Sequence, residues 1–218
     1  MRVVCYTCIT GNYDKLIDPV MKSPGIDYIC FSDSDFKSDI WKIRQIPDEL
    51  DGLPKVKQQR IVKICPHKFL PEYDVSIWVD GNIEIIGELN DFINQYDLTI
   101  PLYTRIHPTR NCIYDEANAC IKLGKGNVDQ IKSQVNSYAD QGYPKHIGMA
   151  ETNILVRNHN DMHCKLVCNA WATELLLNSY RDQLSFNYVC WKNHFLPGYL
   201  INEFDMRNNK FFKLHKHG

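Results

Sequence analysis

The sequence predicts one α/β domain with a mostly parallel sheet. Short runs of apolar and β-branched residues alternate with longer stretches of helical periodicity, an order typical of strands joined by crossover helices. The runs end in small or polar residues, and residues 75–79 end in Asp80-Gly81-Asn82. The length of 218 residues suits a single domain, and an apolar fraction of 44% can fill its core.

The first half of the chain contains most of the predicted strands. Strands are predicted at residues 2–9, 27–32, 41–46 and 75–79, the last with a short continuation at 83–86. Pro54 begins a helix that runs to Ile64, because proline is favoured in the first helical turn. A short helix is predicted at residues 88–96.

The second half is richer in helices. Strands are predicted at residues 98–103, 152–157 and 210–214. Helices are predicted at residues 111–122, 127–141, 164–178 and 181–193, with Gly124 and Gly126 separating the first two. This order predicts a sheet covered by helices.

Composition excludes several classes of protein. The net charge of −1 gives no basic field to recruit nucleic acid. The sequence contains no run of about 18 apolar residues, so no membrane span is expected. The chain starts in a strand-like run without a signal-peptide pattern, and its nine cysteines are an odd number in a long chain. A reduced, cytoplasmic location is therefore expected.

Two cysteine groups raise the alternative of a zinc site. Cys5 and Cys8 lie three residues apart in a predicted strand, which puts their side chains on opposite faces. A helical spacing brings together a second group of side chains: His159, His163, Cys164 and Cys168. Cysteine is also a common small core residue, and this interpretation is favoured for both groups.

The end of the central strand is the main candidate site. Ligands of open α/β sheets bind beyond the carboxyl ends of strands, which is where Asp80 and Asn82 fall. Oxygen ligands two residues apart can share Mg²⁺ or Mn²⁺, which in turn binds phosphates. Gly81 allows the backbone to turn. Asp-Gly-Asn is also ordinary turn chemistry, so a simple turn remains the alternative.

Four segments together resemble nucleotide-sugar glycosyltransferases of the GT-A fold, a Rossmann-related architecture. They are residues 6–14, which look like the opening strand and loop that hold the nucleotide base; residues 78–82, at the place of the Asp-x-Asp metal motif; residues 148–153, similar to the loop and strand beneath the donor sugar; and residues 181–186, similar to the Asp-Gln motif of family-8 retaining enzymes.

The whole chain is also similar to a glycosyltransferase-like family of unknown function from bacteria and plants. Its marks are His107-Pro108-Thr109-Arg110, Tyr114-Asp115-Glu116-Ala117 and Arg181-Asp182-Gln183-Leu184-Ser185-Phe186. One departure from the GT-A pattern matters: Asn82 replaces the second acid of Asp-x-Asp, which removes one negative charge from the cation site.

The resemblance implies a metal site for Mn²⁺ or Mg²⁺. Asp80 and Asn82 would bind the cation, and family-8 enzymes add a histidine near the C-terminus, a position matched here by His215 or His217. The alternative for these histidines is a solvated basic tail, since chain ends are commonly loose.

The resemblance also implies donor-binding residues. Thr7 and Tyr13 lie in the segment that holds the base, and Asp33 could accept from a base N–H. A basic residue on the helix before the central strand would reach the diphosphate, for which the candidates are Lys57, Arg60 and Lys63. The alternative is a solvated helix face.

His107 and Arg110 follow a predicted strand and suit an anionic or hydroxyl-rich part of the substrate. A structural pair of Arg110 with Glu116 is the competing interpretation for this arginine. The candidate catalytic residues are Asp182, Gln183 and Glu151, which the resemblance places near the donor sugar. Asp182 could instead be a helix N-cap.

The predicted function is a metal-dependent, retaining glycosyltransferase of polysaccharide biosynthesis, with a UDP-sugar favoured as donor and a glycan or other hydroxyl compound as acceptor. The alternative is a non-catalytic domain that binds a nucleotide sugar or glycan. A metal-dependent phosphohydrolase is less favoured, because the sequence offers no second acidic cluster of the type that two-metal hydrolases use.

Overall fold

The computed structural model describes residues 1–200 and 209–217. Its strands are β1 (Val3–Ile9), β2 (Ile26–Ser32), β3 (Lys42–Gln45), β4 (Val75–Val79), β5 (Ile83–Ile85), β6 (Leu102–Ile106), β7 (Ala150–Asn158), β8 (Gly198–Tyr199) and β9 (Phe212–Leu214). Its helices are α1 (Lys55–Ile64), α2 (Pro66–Phe69), α3 (Leu89–Ile93), α4 (Ile113–Lys122), α5 (Val128–Asp140), α6 (Met162–Leu177) and α7 (Asp182–Lys192).

The main sheet has seven strands in the order β3-β2-β1-β4-β7-β6-β8. Strand β1 pairs in parallel with β2 and β4, and β6 pairs in parallel with β8. Only β7 is reversed, because it runs antiparallel to both β4 and β6. The predicted mostly parallel α/β sheet is confirmed.

The reversal of β7 places its first residues beside the last residues of its neighbours. Ile154 pairs with Val79 at the end of β4, and Glu151 pairs with Arg105 near the end of β6. Polar side chains from three strands therefore reach one edge of the sheet. We call it the C-terminal edge, and Asp80 lies on it.

Helices and a small second sheet cover the two faces. One core cluster packs β1 and β4 against α1, α6 and α7, and the other packs the opposite face against α3 and β9. Cys8 belongs to the first cluster and Cys5 to the second, which confirms that they lie on opposite faces. Among the described residues, no helix has the length and apolar character that a bilayer crossing requires.

Two predicted strand positions were wrong. Residues 83–85 do not continue β4 but form a separate two-stranded sheet with β9. The reason is the turn at Asp80, whose carbonyl accepts from the amide of Ile83. Strand β6 begins at Leu102 rather than at residue 98, because Asp97 caps a turn by accepting from the amide of Thr99.

The second cysteine–histidine group does not form a zinc site. Cys164 and Cys168 lie in the core, and the Nε2 atom of His159 is 3.1 Å from the carbonyl oxygen of Leu70. His163 is exposed near Asp161. These side chains therefore do not converge, which agrees with the core interpretation of the two cysteines.

Candidate functional site

Two basic residues of α1 meet two carboxylates at the C-terminal edge. The Nζ atom of Lys63 is 2.8 Å from Oδ2 of Asp182 and 3.3 Å from Oδ1 of Asp80. The Nε atom of Arg60 is 3.2 Å from Oδ1 of Asp182. Lys63 and Asp182 are almost completely buried, and the spacing of three residues on α1 aims both cations at the same place. We call these four residues the edge cluster.

Buried donors fix the end of α1 and so the position of Lys63. The Tyr6 hydroxyl donates to the carbonyl of Lys63 at 2.6 Å. The guanidinium of Arg157 donates to the same carbonyl at 2.8 Å and to that of Ile64 at 3.2 Å. A cation at a helix C-terminus satisfies carbonyls that the helix leaves unpaired. The sequence analysis missed Arg157, whose only signal is a charged residue in an apolar strand.

Asp80 follows β4 and has an asymmetric environment. Its Oδ1 accepts from the indole Nε1 of Trp78 at 2.8 Å, and both Lys63 and Arg60 approach this same oxygen. Among the described residues, these contacts leave Oδ2 available to a ligand. The side chain is 24% exposed, so a ligand can reach it.

Asp182 is the first residue of α7 and not its N-cap, which is Arg181. Its Oδ2 accepts from the hydroxyl of Thr152 at 2.9 Å. Burial opposes ionisation, but attraction to Arg60 and Lys63 outweighs it and holds the pKa of Asp182 well below its usual range. Asp182 is therefore an anion at neutral pH and is suited to orienting a ligand rather than to donating a proton. Gln183 follows it and is half-buried.

Glu151 differs from Asp182 in its proton affinity. It pairs with Arg105, whose Nη1 is 2.6 Å from its Oε2. Burial raises the pKa of Glu151, Arg105 opposes that rise, and the nearby Asp80 carboxylate adds to it. Glu151 thus keeps a proton to a higher pH than Asp182 does, beside the edge cluster.

Glu116 is the centre of a second charged group on the same side. Its Oε2 pairs with the Nε of Arg110 and lies 3.8 Å from Nε2 of His107, and Arg181 lies 3.9 Å from its Oε1. The structural pair of Arg110 with Glu116 is therefore present. The Nδ1 of His107 accepts from the amide of Arg110, and burial lowers the pKa of His107, so this ring is neutral at pH 7.

The predicted base-binding residues have different surroundings. Asp33 accepts from the amide of Gly11 at 2.9 Å and pairs with Lys55, which the sequence analysis missed, at 2.9 Å. Tyr13 is exposed, with its ring 5.1 Å from that of His217. Thr7 is buried, and its hydroxyl has no partner among the described residues.

Lys57 does not reach the edge cluster. Its ammonium donates to the carbonyls of Leu176 and Asn178, at 2.9 and 3.2 Å, and so caps the end of α6. The prediction that Lys57 binds the diphosphate is therefore not supported. The helix presents Arg60 and Lys63 to the edge cluster, and Lys57 points to a neighbouring helix.

The chain's last described residues pack beside Asp80-Gly81-Asn82. The amide of His215 donates to the carbonyl of Asn82 at 2.8 Å, and Nδ2 of Asn82 donates to the carbonyl of His215 at 2.9 Å. An aspartate could not make the second bond. This explains, in structural terms, why an amide occupies the place of the second acid.

The four predicted metal ligands do not form one set. The Nε2 atom of His215 is 2.8 Å from Glu84, and the Nδ1 atom of His217 is 3.0 Å from Asp14. Among residues 1–200 and 209–217, Asp80 and the two histidines have no arrangement in which their ligand atoms all lie within 4.8 Å of one another. The histidines pair with separate carboxylates instead.

Asp14 is a carboxylate that the sequence analysis left without a role. Its Oδ2 would lie 3.2 Å from a Cβ atom at position 81, so Gly81 leaves room for it. Asp80, Asn82 and Asp14 offer the oxygen ligand type that a hard cation prefers, and such a cation would retain waters and complete its shell with phosphate oxygens. Arg60 and Lys63 already neutralise much of the charge of Asp80, so such a cation would depend on the phosphates.

Comparisons with known proteins agree with this fold. Residues 29–217 match the family described as TOD1/MUCI70, glycosyltransferase-like domain. The chain is 26% identical over 239 aligned residues to a protein of Arabidopsis thaliana named alkaline ceramidase TOD1, which covers 94% of this chain and 51% of that protein. It is 24% identical over 169 residues to the probable hexosyltransferase MUCI70 of the same plant, covering 72% of this chain and 28% of that protein.

A solved structure shows the same fold. The WbbM bifunctional glycosyltransferase in its apo form aligns with a TM-score of 0.54 and 12% identity, over 89% of this chain and 38% of that one. The chain thus spans about half or less of the proteins it matches. This likeness concerns the GT-A-like fold alone.

Proposed function

Because the chain belongs to the TOD1/MUCI70 glycosyltransferase-like family, we propose that it transfers a sugar from a nucleotide diphosphate donor to a hydroxyl group. The observation that carries the proposal is the edge cluster. Two fixed cations and two carboxylates, one of them with a free oxygen, meet at the edge of the sheet where α/β proteins bind ligands.

Arg60 and Lys63 supply positive charge where the donor diphosphate would leave. The transfer breaks the bond from the anomeric carbon to the phosphate oxygen, and negative charge grows on the diphosphate. Cations that are held before the reaction stabilise this charge without reorganisation. Lys63 meets this condition because Tyr6 and Arg157 hold its backbone and burial holds its side chain.

Mn²⁺ or Mg²⁺ would be held by Asp80 and Asn82 beside Asp14, and would act there as a Lewis acid on the diphosphate. Tyr13 and the Asp33–Lys55 pair lie on the β1–β2 side of the edge cluster, where the base of a UDP-sugar would bind. His217 contacts Asp14 and Tyr13, so an arriving nucleotide would contact residues 215–217, which we call the tail.

Asp182 and Glu151 would have different roles in the transfer. Asp182, which stays ionised, would orient the donor hydroxyls together with Gln183 and stabilise positive charge at the anomeric carbon. Glu151, with its raised pKa, would exchange the proton that the acceptor hydroxyl loses as the new bond forms. The Asp182-Gln183 pair resembles that of retaining enzymes, so we propose retention of configuration.

The acceptor would be a glycan, and the Glu116 group lies on its side of the site. Arg105 and Arg181 border Glu151 and Asp182, and both could bind hydroxyl or anionic groups of a polysaccharide. His107 is neutral with its proton on Nε2, because Nδ1 accepts from a backbone amide, and it could donate one hydrogen bond to such a group.

A second candidate follows from the match to a protein named alkaline ceramidase. In this alternative, the site would hydrolyse the amide of a ceramide, with Glu151 activating water. The two candidates differ in product, because one releases a nucleotide diphosphate and the other releases a sphingoid base. A third outcome, binding of a nucleotide sugar without turnover, would make the chain a binding domain.

Thermal unfolding with a panel of nucleotide diphosphates tests the site. Binding to the folded state alone adds about 2.7 kcal/mol at a hundredfold excess over Kd. UDP should raise the melting temperature with Mn²⁺ and much less with EDTA, and Asp80→Ala should remove the difference. Asp140→Ala, on the exposed last residue of α5, is the matched control. Equal shifts with and without metal would refute the proposed cation site.

Turnover tests the enzyme. Slow release of UDP from the correct sugar donor without acceptor should appear first, because water can replace the acceptor. Asp182→Asn or Gln183→Ala should lower that rate about a hundredfold or more with nucleotide affinity nearly unchanged, as expected for loss of a positioned group. Release of sphingoid base from ceramide, with no UDP release from any donor, would favour the second candidate.

A further inference from the structure

A separate group of potential metal ligands lies where α4 begins. It consists of Cys112, just before the helix, Asp115 in its first turn, and His146 in the loop between α5 and β7. One ligand atom from each side chain lies within 4.8 Å of the other two. None of these residues belongs to the edge cluster or to the ion pairs of Glu116.

Two contacts hold the histidine loop against α4. The Oδ1 atom of Asn111 is 3.1 Å from Nδ1 of His146, and the amide of Gly148 donates to the carbonyl of Asn111 at 3.0 Å. Nδ1 of His146 is also the ring nitrogen that lies 3.9 Å from Oδ2 of Asp115, so the same edge of the imidazole faces Asn111 and the carboxylate of the group.

Helix capping explains only part of the group. Cys112 is at the N-cap and Asp115 three residues later, a spacing that brings side chains together in any helix. The N-cap usually carries Ser, Thr, Asp or Asn, whereas Cys112 makes no capping hydrogen bond and is 2% exposed. Capping also gives no reason for the histidine, which comes from another loop.

We propose that Cys112, Asp115 and His146 form a zinc site. A thiolate, a carboxylate and an imidazole suit Zn²⁺, and three protein ligands leave a fourth position for water. The two anionic ligands would neutralise the ion. This is a softer ligand set than the oxygens around Asp80, so the two places would select different metals.

The distances require only a small adjustment. Zinc–ligand bonds of about 2.0–2.3 Å place tetrahedral ligands about 3.3–3.8 Å apart, so the present group must close by about 1 Å. The side chains of Asp115 and His146 are 54% and 59% exposed, and a rotation toward the thiol would break only contacts that are open to water. The same exposure gives the ion an entry path.

Zinc would join two segments that flank the proposed acceptor side. The loop with His146 leads directly into β7 and Glu151, and α4 carries Glu116. A metal bridge between them would fix the loop five residues before Glu151. The site is therefore expected to order the acceptor side and to stabilise the fold.

Cobalt binding to the metal-free full chain tests the site directly. Co²⁺ bound to a thiolate gives an intense charge-transfer band in the near ultraviolet, which oxygen ligands alone do not give. We expect this band at one Co²⁺ per chain, with Zn²⁺ displacing it. Cys112→Ser should abolish the band, and His146→Gln and Asp115→Asn should each weaken binding at least tenfold.

Matched variants separate this site from the rest of the molecule. Cys120→Ser changes a buried thiol on the same helix, and His163→Gln changes an exposed histidine on α6. Asp80→Asn changes the other proposed metal site. All three should keep the band. His146→Gln and Asp115→Asn alter exposed side chains and should fold normally, which circular dichroism would verify.

The proposal is overturned if the wild-type chain gives no thiolate band. It is also overturned if the band survives Cys112→Ser, or if His146→Gln and Asp115→Asn bind Co²⁺ as tightly as the wild type does. Loss of UDP-dependent behaviour in Asp80→Ala would leave these results unchanged, so failure here and failure of the glycosyltransferase proposal are distinguishable.

Discussion

Ion pairs flank Asp80-Gly81-Asn82 on two sides, and the two sets differ in their contact with water. On the side of α1 and α7, the side chains of Lys63 and Asp182 are 1% and 4% exposed. On the side of the tail, those of His215 and His217 are 36% and 53% exposed. Separating a buried ion pair costs several kcal/mol, about 3–5 when one partner is lost, whereas separating an exposed pair costs about 1 kcal/mol or less because water solvates both charges. The first set is therefore a fixed framework, and the second can yield to a ligand.

Removing the charge of Lys63 is expected to have the largest effect. Lys63→Met keeps the volume of the side chain but leaves Arg60 as the remaining ion-pair partner of Asp182 among the described residues. Removal of one partner of a buried pair costs about 3–5 kcal/mol, and the remaining arginine favours the lower end. Urea unfolding at pH 7 measures the change in the free energy of unfolding.

Lys57→Met is the matched control for that experiment. It lies on the same helix, but its ammonium binds carbonyls at the end of α6. We expect a loss of about 1 kcal/mol, typical of a few hydrogen bonds to a charged group near the surface. The double variant Lys63→Met/Asp182→Asn should be more stable than the sum of the two single changes predicts, because both charges of the pair are gone. Additive losses would argue against the pair.

The two regions also differed in how far the sequence could predict them. The mostly parallel α/β fold follows from local periodicity, and the place of Asp80 follows from the rule for strand ends. Arg60 and Lys63 were expected near the diphosphate by resemblance. Asp182 was placed beside them only by resemblance, since its partners are more than 100 residues away in the chain. The role of Arg157 depends on a carbonyl of another element and has no local pattern.

The ion-pair partners of the tail were harder to predict, because they depend on the pairing of two short strands, β5 and β9. Glu84 is opposite Lys213 in the register of β5 and β9, and His215, two residues further along, reaches the same carboxylate diagonally. A three-residue strand has too little pattern to reveal that register. The contacts of Lys57 could not be predicted for a related reason. Helical spacing shows which residues share a face of the helix but not which neighbouring element that face contacts.

Lowering the pH is expected to have the second-largest effect on stability, through the buried ion pairs of Asp182. The pKa of Asp182 is lower in the folded chain than in the unfolded one, so its contribution is complete above the unfolded value, about 4, and is lost as pH falls below it. One strongly depressed carboxyl carries about 2–3 kcal/mol. The loss begins near pH 4 and is complete only below the folded pKa, so urea unfolding from pH 6 to pH 3 should show its first part, about 1.4 kcal/mol. Asp182→Asn should flatten this dependence. An unchanged slope in the variant would show that other carboxyls are responsible.

A smaller effect is expected where the tail meets Asn82. Asn82→Asp replaces the amide that donates to the carbonyl of His215 with an acceptor, which should cost about 1–2 kcal/mol. The added charge should at the same time strengthen Mn²⁺ binding beside Asp80. Calorimetric titration with Mn²⁺ and UDP checks the affinity, and Asn82→Ala separates loss of the hydrogen bond from gain of charge. Weaker Mn²⁺ binding in Asn82→Asp would place the cation elsewhere.

The smallest change in stability is expected from His217→Ala. The pair of His217 with Asp14 is half exposed, and such pairs contribute about 1 kcal/mol or less.

The effect of His217→Ala on ligand binding shows which role residues 215–217 have. If His217 only pairs with Asp14, its removal takes one cationic partner from that carboxylate, and Mn²⁺ with UDP should bind as well as before or better. If His217 turns to the metal once the nucleotide is present, the same change should weaken binding at least tenfold. His163→Ala, exposed on α6, should change neither quantity. Stronger binding in His217→Ala would mean that the tail competes with the donor for the site, and weaker binding would mean that the exposed side of Asp80 completes its ligand set only when the donor arrives.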